Sequence, residues 1–169
     1  YFQGLMCSRR TRLLPNLTTL VARMASARPD ATYTSIQLNK DYNARLHVDK
    51  NNHGPSWIIG LGDYTGGELW VLDEENGTHP IEITEPLFGF RHLVGKTVMG
   101  RLLNIHKAWV KFDGNLPHMA MPFKGTRISI VYFTRKGWLE MEPEVKRQLL
   151  DLGVPVPGED FVAAATSVK

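Results

Sequence analysis

Leu46-His47-Val48-Asp49-Lys50-Asn51-Asn52 reads as a short strand running into a polar turn. Side chains alternate along a strand, so Arg45, His47 and Asp49 share one face while Leu46 and Val48 take the other. A spacing of His-x-Asp therefore puts an imidazole beside a carboxylate on a strand, where a helix would need a spacing of four. The triplet alone is weak evidence. Six histidines and eight aspartates in 169 residues would produce roughly 0.3 such triplets by chance. Its weight comes from two downstream pieces in a fixed order: Pro117-His118, then Arg127-Ile128-Ser129.

The chain around this stretch has the texture of strands. Thr32 to Leu38, Ala44 to Asp49, Trp57 to Leu61 and Glu68 to Leu72 are β-branched, aromatic or alternating runs. They are separated by Asn39–Asn43, Asn51–Pro55 and Asp63–Gly67, which have the composition of turns. Less regular strands are expected at Ile81–Ile83 and Leu87–Leu93, then Thr97–Ile105, Ala108–Phe112 and Thr126–Thr134, with another turn at Pro122–Gly125. Helices are confined to the ends. Leu17, Leu20, Val21 and Met24 recur at helical spacing from Pro15 to about Ala27, after an arginine-rich start (Arg9, Arg10, Arg12). Pro143 to Leu152 has Pro at its start and Gly153 just past its end, and residues from Val154 on read as loosely held. The order predicts a mainly β chain: a double-stranded β-helix (jelly-roll) core with flanking N- and C-terminal helices.

Tyr1-Phe2-Gln3-Gly4 has the look of an engineered protease-site remnant, which places residues 1–5 outside the fold. Residues 6–169 are then expected to form a single domain with its core at about 32–135. A hydrophobic fraction of 43% and a charged fraction of 22% exclude a disordered chain. The net charge of +3 is mildly basic and fits an anionic partner. A lone cysteine, Cys7, excludes an internal disulfide framework and places the chain in an intracellular, reducing compartment. No apolar run approaches the ~18 residues that a membrane span needs, so no membrane is expected as a partner.

His47, Asp49 and His118 together supply two imidazoles and one carboxylate, the ligand set of non-haem Fe(II) oxygenases, which leaves coordination positions open. A co-substrate carrying a second anionic group would need a cation deeper in the core. Arg127 offers a planar fork for a carboxylate, with the Ser129 hydroxyl on the same face. The short interval from His118 to Arg127 suits one turn between adjacent strands.

The ordered set His47-x-Asp49, Gly66-Gly67-Glu68-Leu69, His118 and Arg127-x-Ser129 resembles the 2-oxoglutarate/Fe(II) oxygenases over roughly residues 35 to 135. Within that superfamily the stretches 47–54, 59–69 and 125–134 are most similar to the TET/JBP branch, which oxidises the methyl of 5-methylpyrimidines in nucleic acids. The resemblance implies Fe(II) as cofactor, 2-oxoglutarate and O2 as co-substrates, and methylated DNA or RNA as partner. It also implies that Asn52, three residues past the ligand aspartate, contacts the target base. Asn39 stands where an asparagine of AlkB-like relatives bonds the co-substrate. The cysteine-rich region of animal TET proteins is missing, so two other functions stand beside this one. The first is a 2-oxoglutarate oxygenase of a protein side chain or small molecule, since Gly-Gly-Glu-Leu also occurs in prolyl-hydroxylase-like enzymes. The second is a silent jelly-roll binding module.

Overall fold

The computed structural model describes residues 5–158. The chain is mainly β, with curled antiparallel sheets. Its strands are β1 (Ser35–Lys40), β2 (Asn52–Gly66), β3 (Leu69–Leu72), β4 (His79–Glu82), β5 (Thr97–Leu103), β6 (Val110–Phe112), β7 (His118–Ala120) and β8 (Phe123–Arg135). They form two four-stranded sheets, ordered β1-β8-β2-β6 and β4-β5-β3-β7. The helices are α1 (Arg9–Leu13), α2 (Pro15–Met24) and α3 (Pro143–Asp151). No helix among the described residues is long and apolar enough to cross a membrane.

The chain divides into two compact units. Among the described residues, one takes in those up to Gln37, His53–Pro55 and those from Tyr132 to residue 158; the other comprises Leu38–Asn52 and Ser56–Val131. In the second unit β3 is buried along its whole length: both its edges are paired, and alternate residues enter apolar clusters on its two faces. Leu69–Leu72 faces Leu103–Gly100 of β5 on one side, and Leu69–Val71 faces Ala120–His118 of β7 on the other. Two apolar clusters result. Leu69 and Val71 pack with Ile58, Ile105 and Phe112, so side chains of both sheets share one core. Trp70 and Leu72 pack with Ile83, Leu87, Leu93 and Val98, and Leu46 and Val48 lie against that group. The alternation expected around His47 is therefore present: Leu46 and Val48 turn to the core.

In the first unit Ser8 caps α1 by accepting a hydrogen bond from the Thr11 amide at 3.0 Å. α2 opens on Pro15, whose missing N–H costs nothing at a first helical position. Two buried tyrosines meet edge to face at 5.0 Å. Tyr132 donates its hydroxyl to the Val21 carbonyl at 2.8 Å and Tyr33 donates to the Ala22 carbonyl at 3.3 Å.

Several expectations are corrected. Ala44–Asp49 is no regular strand; its one bridge joins His47 to His118, and past it the Asp49 amide bonds the Gly114 carbonyl instead of continuing along β7. β2 runs through both turns expected around Trp57–Leu61, since the buried run Ser56–Gly60 draws its flanks into the ladder. Leu87–Leu93 is a loop ending in a 3₁₀ turn at Arg91–Leu93. Its buried or half-buried residues Leu87, Phe90 and Leu93 recur every three positions, the period of that helix and not of a strand. β7 and β8 lie in different sheets, so the turn from His118 to Arg127 is a crossing, not a hairpin. Val154 is buried and donates its amide to the Leu149 carbonyl, and Pro155 accepts from the Tyr33 amide, so the chain is held as far as this point. The rest of the tail, from residue 159, lies outside the described residues.

Candidate metal centre

His47 and His118 come together through the main chain. Each donates its amide to the other's carbonyl at 3.0 Å, which sets the two rings side by side, 4.2 Å between centroids. Asp49 follows on the same face, its amide held by the Gly114 carbonyl at 2.8 Å. One imidazole nitrogen from each histidine and one Asp49 oxygen lie within 4.8 Å of one another, so the three side chains can hold a metal ion. His47 Nε2 is 3.5 Å from Asp49 Oδ1, and His118 Nε2 is 3.7 Å from Asp49 Oδ2. Two donors each about 2.1 Å from one ion stand about 3.0 Å apart at a right angle and about 4.2 Å apart in line, and both spacings fall inside that range.

The other ring nitrogens are already committed. His47 Nδ1 lies 2.7 Å from the Arg45 carbonyl oxygen, and His118 Nδ1 lies 2.8 Å from that of Leu116. A carbonyl only accepts, so Nδ1 carries the proton in both rings and Nε2 presents its lone pair. Electrostatics separates the two. Burial pushes His118 below the usual histidine value, which keeps it neutral. The Asp49 hydrogen bond raises His47. Burial alone would raise the Asp49 carboxyl, but the two histidines and the Asn52 amide hold it below its ordinary value.

Asn52 is buried, at 5% exposure. Its Nδ2 donates to Asp49 Oδ2 at 3.1 Å and to Ser56 Oγ at 3.3 Å. Gly114 makes this possible: a Cβ there would stand 2.9 Å from Asp49 Oδ2 and 3.0 Å from Asn52 Nδ2. In these contacts Asn52 addresses the ligand carboxylate.

Arg127 and Ser129 share a face of β8 and are both buried. Asp41 fixes the strand here: its amide donates to the Arg127 carbonyl at 2.7 Å, and its carboxylate accepts the Arg127 amide at 2.8 Å. Ser129 Oγ accepts from Asn39 Nδ2 at 3.4 Å, so these two side chains also meet. The guanidinium lies against a pair of rings, 5.4 Å from the Phe123 centroid and 5.8 Å from that of Tyr64, which are themselves 6.3 Å apart. Burial lowers Arg127 and raises Tyr64 from their usual values, each moderated by the other. Arg127 Nε and the Tyr64 hydroxyl are nonetheless buried without a hydrogen-bond partner. Buried donors in that state lack an acceptor, and an anion meets the need.

Tyr64 did not stand out in the sequence, because Asp63–Gly67 reads as a turn, and Gly67 entered only as part of the Gly66-Gly67-Glu68-Leu69 stretch, with no link to Arg127. The available signal was the Gly66-Gly67 pair. Gly67 has φ of +73° and lies so close to Arg127 that a Cβ would stand 3.0 Å from Nε.

No protein-family model matches the chain, and no curated protein matches it. Among solved structures it is similar to "NgTET1 in complex with 5mC DNA in space group P3221", at 18% identity and a TM-score of 0.39. That alignment covers 73% of this chain and 48% of the other, so the chain spans about half the length of that relative. A likeness of this degree carries no argument about the fold or the site.

Proposed function

We propose that the chain is a non-haem Fe(II) oxygenase using 2-oxoglutarate and O2, and that it hydroxylates the methyl group of a 5-methylpyrimidine in nucleic acid. The observation that carries the enzyme reading is the pair of Nδ1–carbonyl bonds at His47 and His118, which aims both Nε2 lone pairs toward the Asp49 carboxylate. In this reading the two sheets are those of a double-stranded β-helix.

His47, Asp49 and His118 would hold the iron. Arg127 would pair with the distal carboxylate of 2-oxoglutarate, filling the acceptor position that its Nε lacks, with Ser129 and Asn39 adding polar contacts. Bound there, Fe(II) would activate O2, the oxidant, for hydroxylation of a C–H bond, with 2-oxoglutarate as the reductant leaving as succinate and CO2. The chain's own work is orientation. The backbone pair fixes the histidine rings, Asn52 fixes the carboxylate, and the Tyr64 and Phe123 rings lie against the guanidinium. The nucleic-acid substrate is supported by the resemblance of residues 47–54, 59–69 and 125–134 to the TET/JBP branch.

Incubation with Fe(II), 2-oxoglutarate and methylated oligonucleotides tests both levels. Mass spectrometry should find succinate and a base that has gained one oxygen. Succinate with no altered base would move the reading to another substrate. A pure protein that bound neither iron nor 2-oxoglutarate would end the enzyme reading.

A further inference from the structure

The loop from Leu87 to Val94 is anchored at two points and open between them. Leu87 and Leu93 are buried in the cluster against which Leu46 and Val48 pack, the residues that alternate with the candidate ligands. Main-chain bonds brace it: Phe90 to Leu87, Leu93 to Phe90, and Gly95 to Ile83, at 2.8 to 3.0 Å. From this rigid base Phe88 stands 63% exposed. Phe90 stacks on His92 at 6.3 Å, and Val94 is 44% exposed. An exposed apolar side chain is ordinary when it is alone. This one has company: the Lys50 ammonium lies over its ring at 5.8 Å, and Lys50 directly follows Asp49. Arg91 and Lys96, both exposed, carry two more cations on this loop and just past its end.

An exposed aromatic ring with an ammonium over it, on a braced loop that also carries an exposed arginine, matches the chemistry of a single nucleic-acid strand. A base lies on a ring face and phosphates meet the ammonium and guanidinium groups. An acidic peptide would use the charges but leave the ring faces idle, and an apolar partner would use the rings but strand the charges.

We propose that Phe88, with Lys50, Arg91 and Lys96, docks a single-stranded nucleic acid beside the candidate metal centre, Phe88 serving as the stacking platform. This rests on the nucleic-acid substrate proposed for the metal centre and adds the residues that would recognise the strand.

The test is fluorescence anisotropy of a labelled single-stranded oligonucleotide with the full chain, without added metal or 2-oxoglutarate. Phe88→Ala and Phe88→Leu should each weaken binding by about 5- to 150-fold, while Phe88→Trp retains it. Leu keeps the apolar surface but not the ring, which separates stacking from simple burial. Lys50→Gln should reduce the slope of log affinity against log salt by about 0.7. Wild-type binding by Phe88→Ala, a slope unchanged in Lys50→Gln, or no oligonucleotide binding by the unaltered chain would each overturn the dock. The two readings fail separately. Base oxidation that is unaffected in Phe88→Ala would remove the dock and keep the enzyme. Phe88-dependent strand binding with no oxidised base would keep the dock and remove the hydroxylase.

Discussion

His47 and His118 are a mutual backbone pair, each the donor and each the acceptor of the other's 3.0 Å main-chain bond. Seventy-one residues apart in sequence, they are held together before any side chain takes part. The geometry of the centre is thus set by a ladder rung, and the imidazoles inherit it.

Asp49 is the one acidic member of the cluster. Asp49→Asn keeps the shape but removes the charge and one acceptor, leaving two imidazoles to hold a dication. Iron titration followed by calorimetry should show affinity falling by more than the 10- to 100-fold typical of an outer partner. Turnover should vanish.

Asn52 gives a sharper discrimination. Its amide bonds Asp49 Oδ2 at 3.1 Å, so Asn52→Ala should lower iron affinity by about 10- to 100-fold even with no nucleic acid present. A side chain whose sole task was to contact a base would leave iron affinity unchanged.

Arg127 has a buried Nε with no partner. Loss of a charge-assisted hydrogen bond removes about 1.5–3 kcal/mol. Arg127→Lys, which cannot reproduce the fork, should raise the KM for 2-oxoglutarate by about 10- to 100-fold while iron affinity holds. An unchanged KM would count against its role.

Gly67 is the space beside that guanidinium. A side chain at its φ of +73° is strained by about 1–2 kcal/mol, and the new Cβ would also press on Arg127 Nε and Cδ. Gly67→Ala should lower the melting temperature and raise the 2-oxoglutarate KM together. An effect on stability alone would mean that Arg127 relaxes without consequence.

Tyr33 and Tyr132 set a limit at alkaline pH. Burial raises both hydroxyls well above the ordinary value of 10. The folded state therefore favours the protonated phenol, so its contribution is complete below pH 10 and is lost as pH rises above that. Urea denaturation should show stability declining above pH 10. Tyr132→Phe should remove about 1 kcal/mol at neutral pH, the usual net worth of one hydrogen bond, and flatten the alkaline decline.

The residues brought together at the metal centre were legible because period-two alternation needs only local backbone geometry, and Leu46 and Val48 turning to the core show that it holds even without a full strand. Element boundaries were less so. Asn51–Pro55 has turn residues, yet the burial of Ser56–Gly60 extends β2 back to Asn52, and burial is a property of the tertiary neighbourhood. Leu87, Phe90 and Leu93 carried a period of three inside a run whose composition read as a strand. The environment of Arg127 was hidden for another reason: Tyr64 and Gly67 reach it from a stretch some sixty residues earlier and Phe123 from the start of its own strand, and no spacing in the sequence encodes such a meeting.

β7 is paired with β3 on one side, and on the other its amides and carbonyls meet Ala44 and His47. The segment that carries the candidate ligands His47 and Asp49 is thus also the cover over that sheet's open edge. A chain that lets this segment go bares an unpaired strand, the kind of template on which proteins self-associate. Loss of the metal-holding geometry and loss of colloidal stability are, in this architecture, one event.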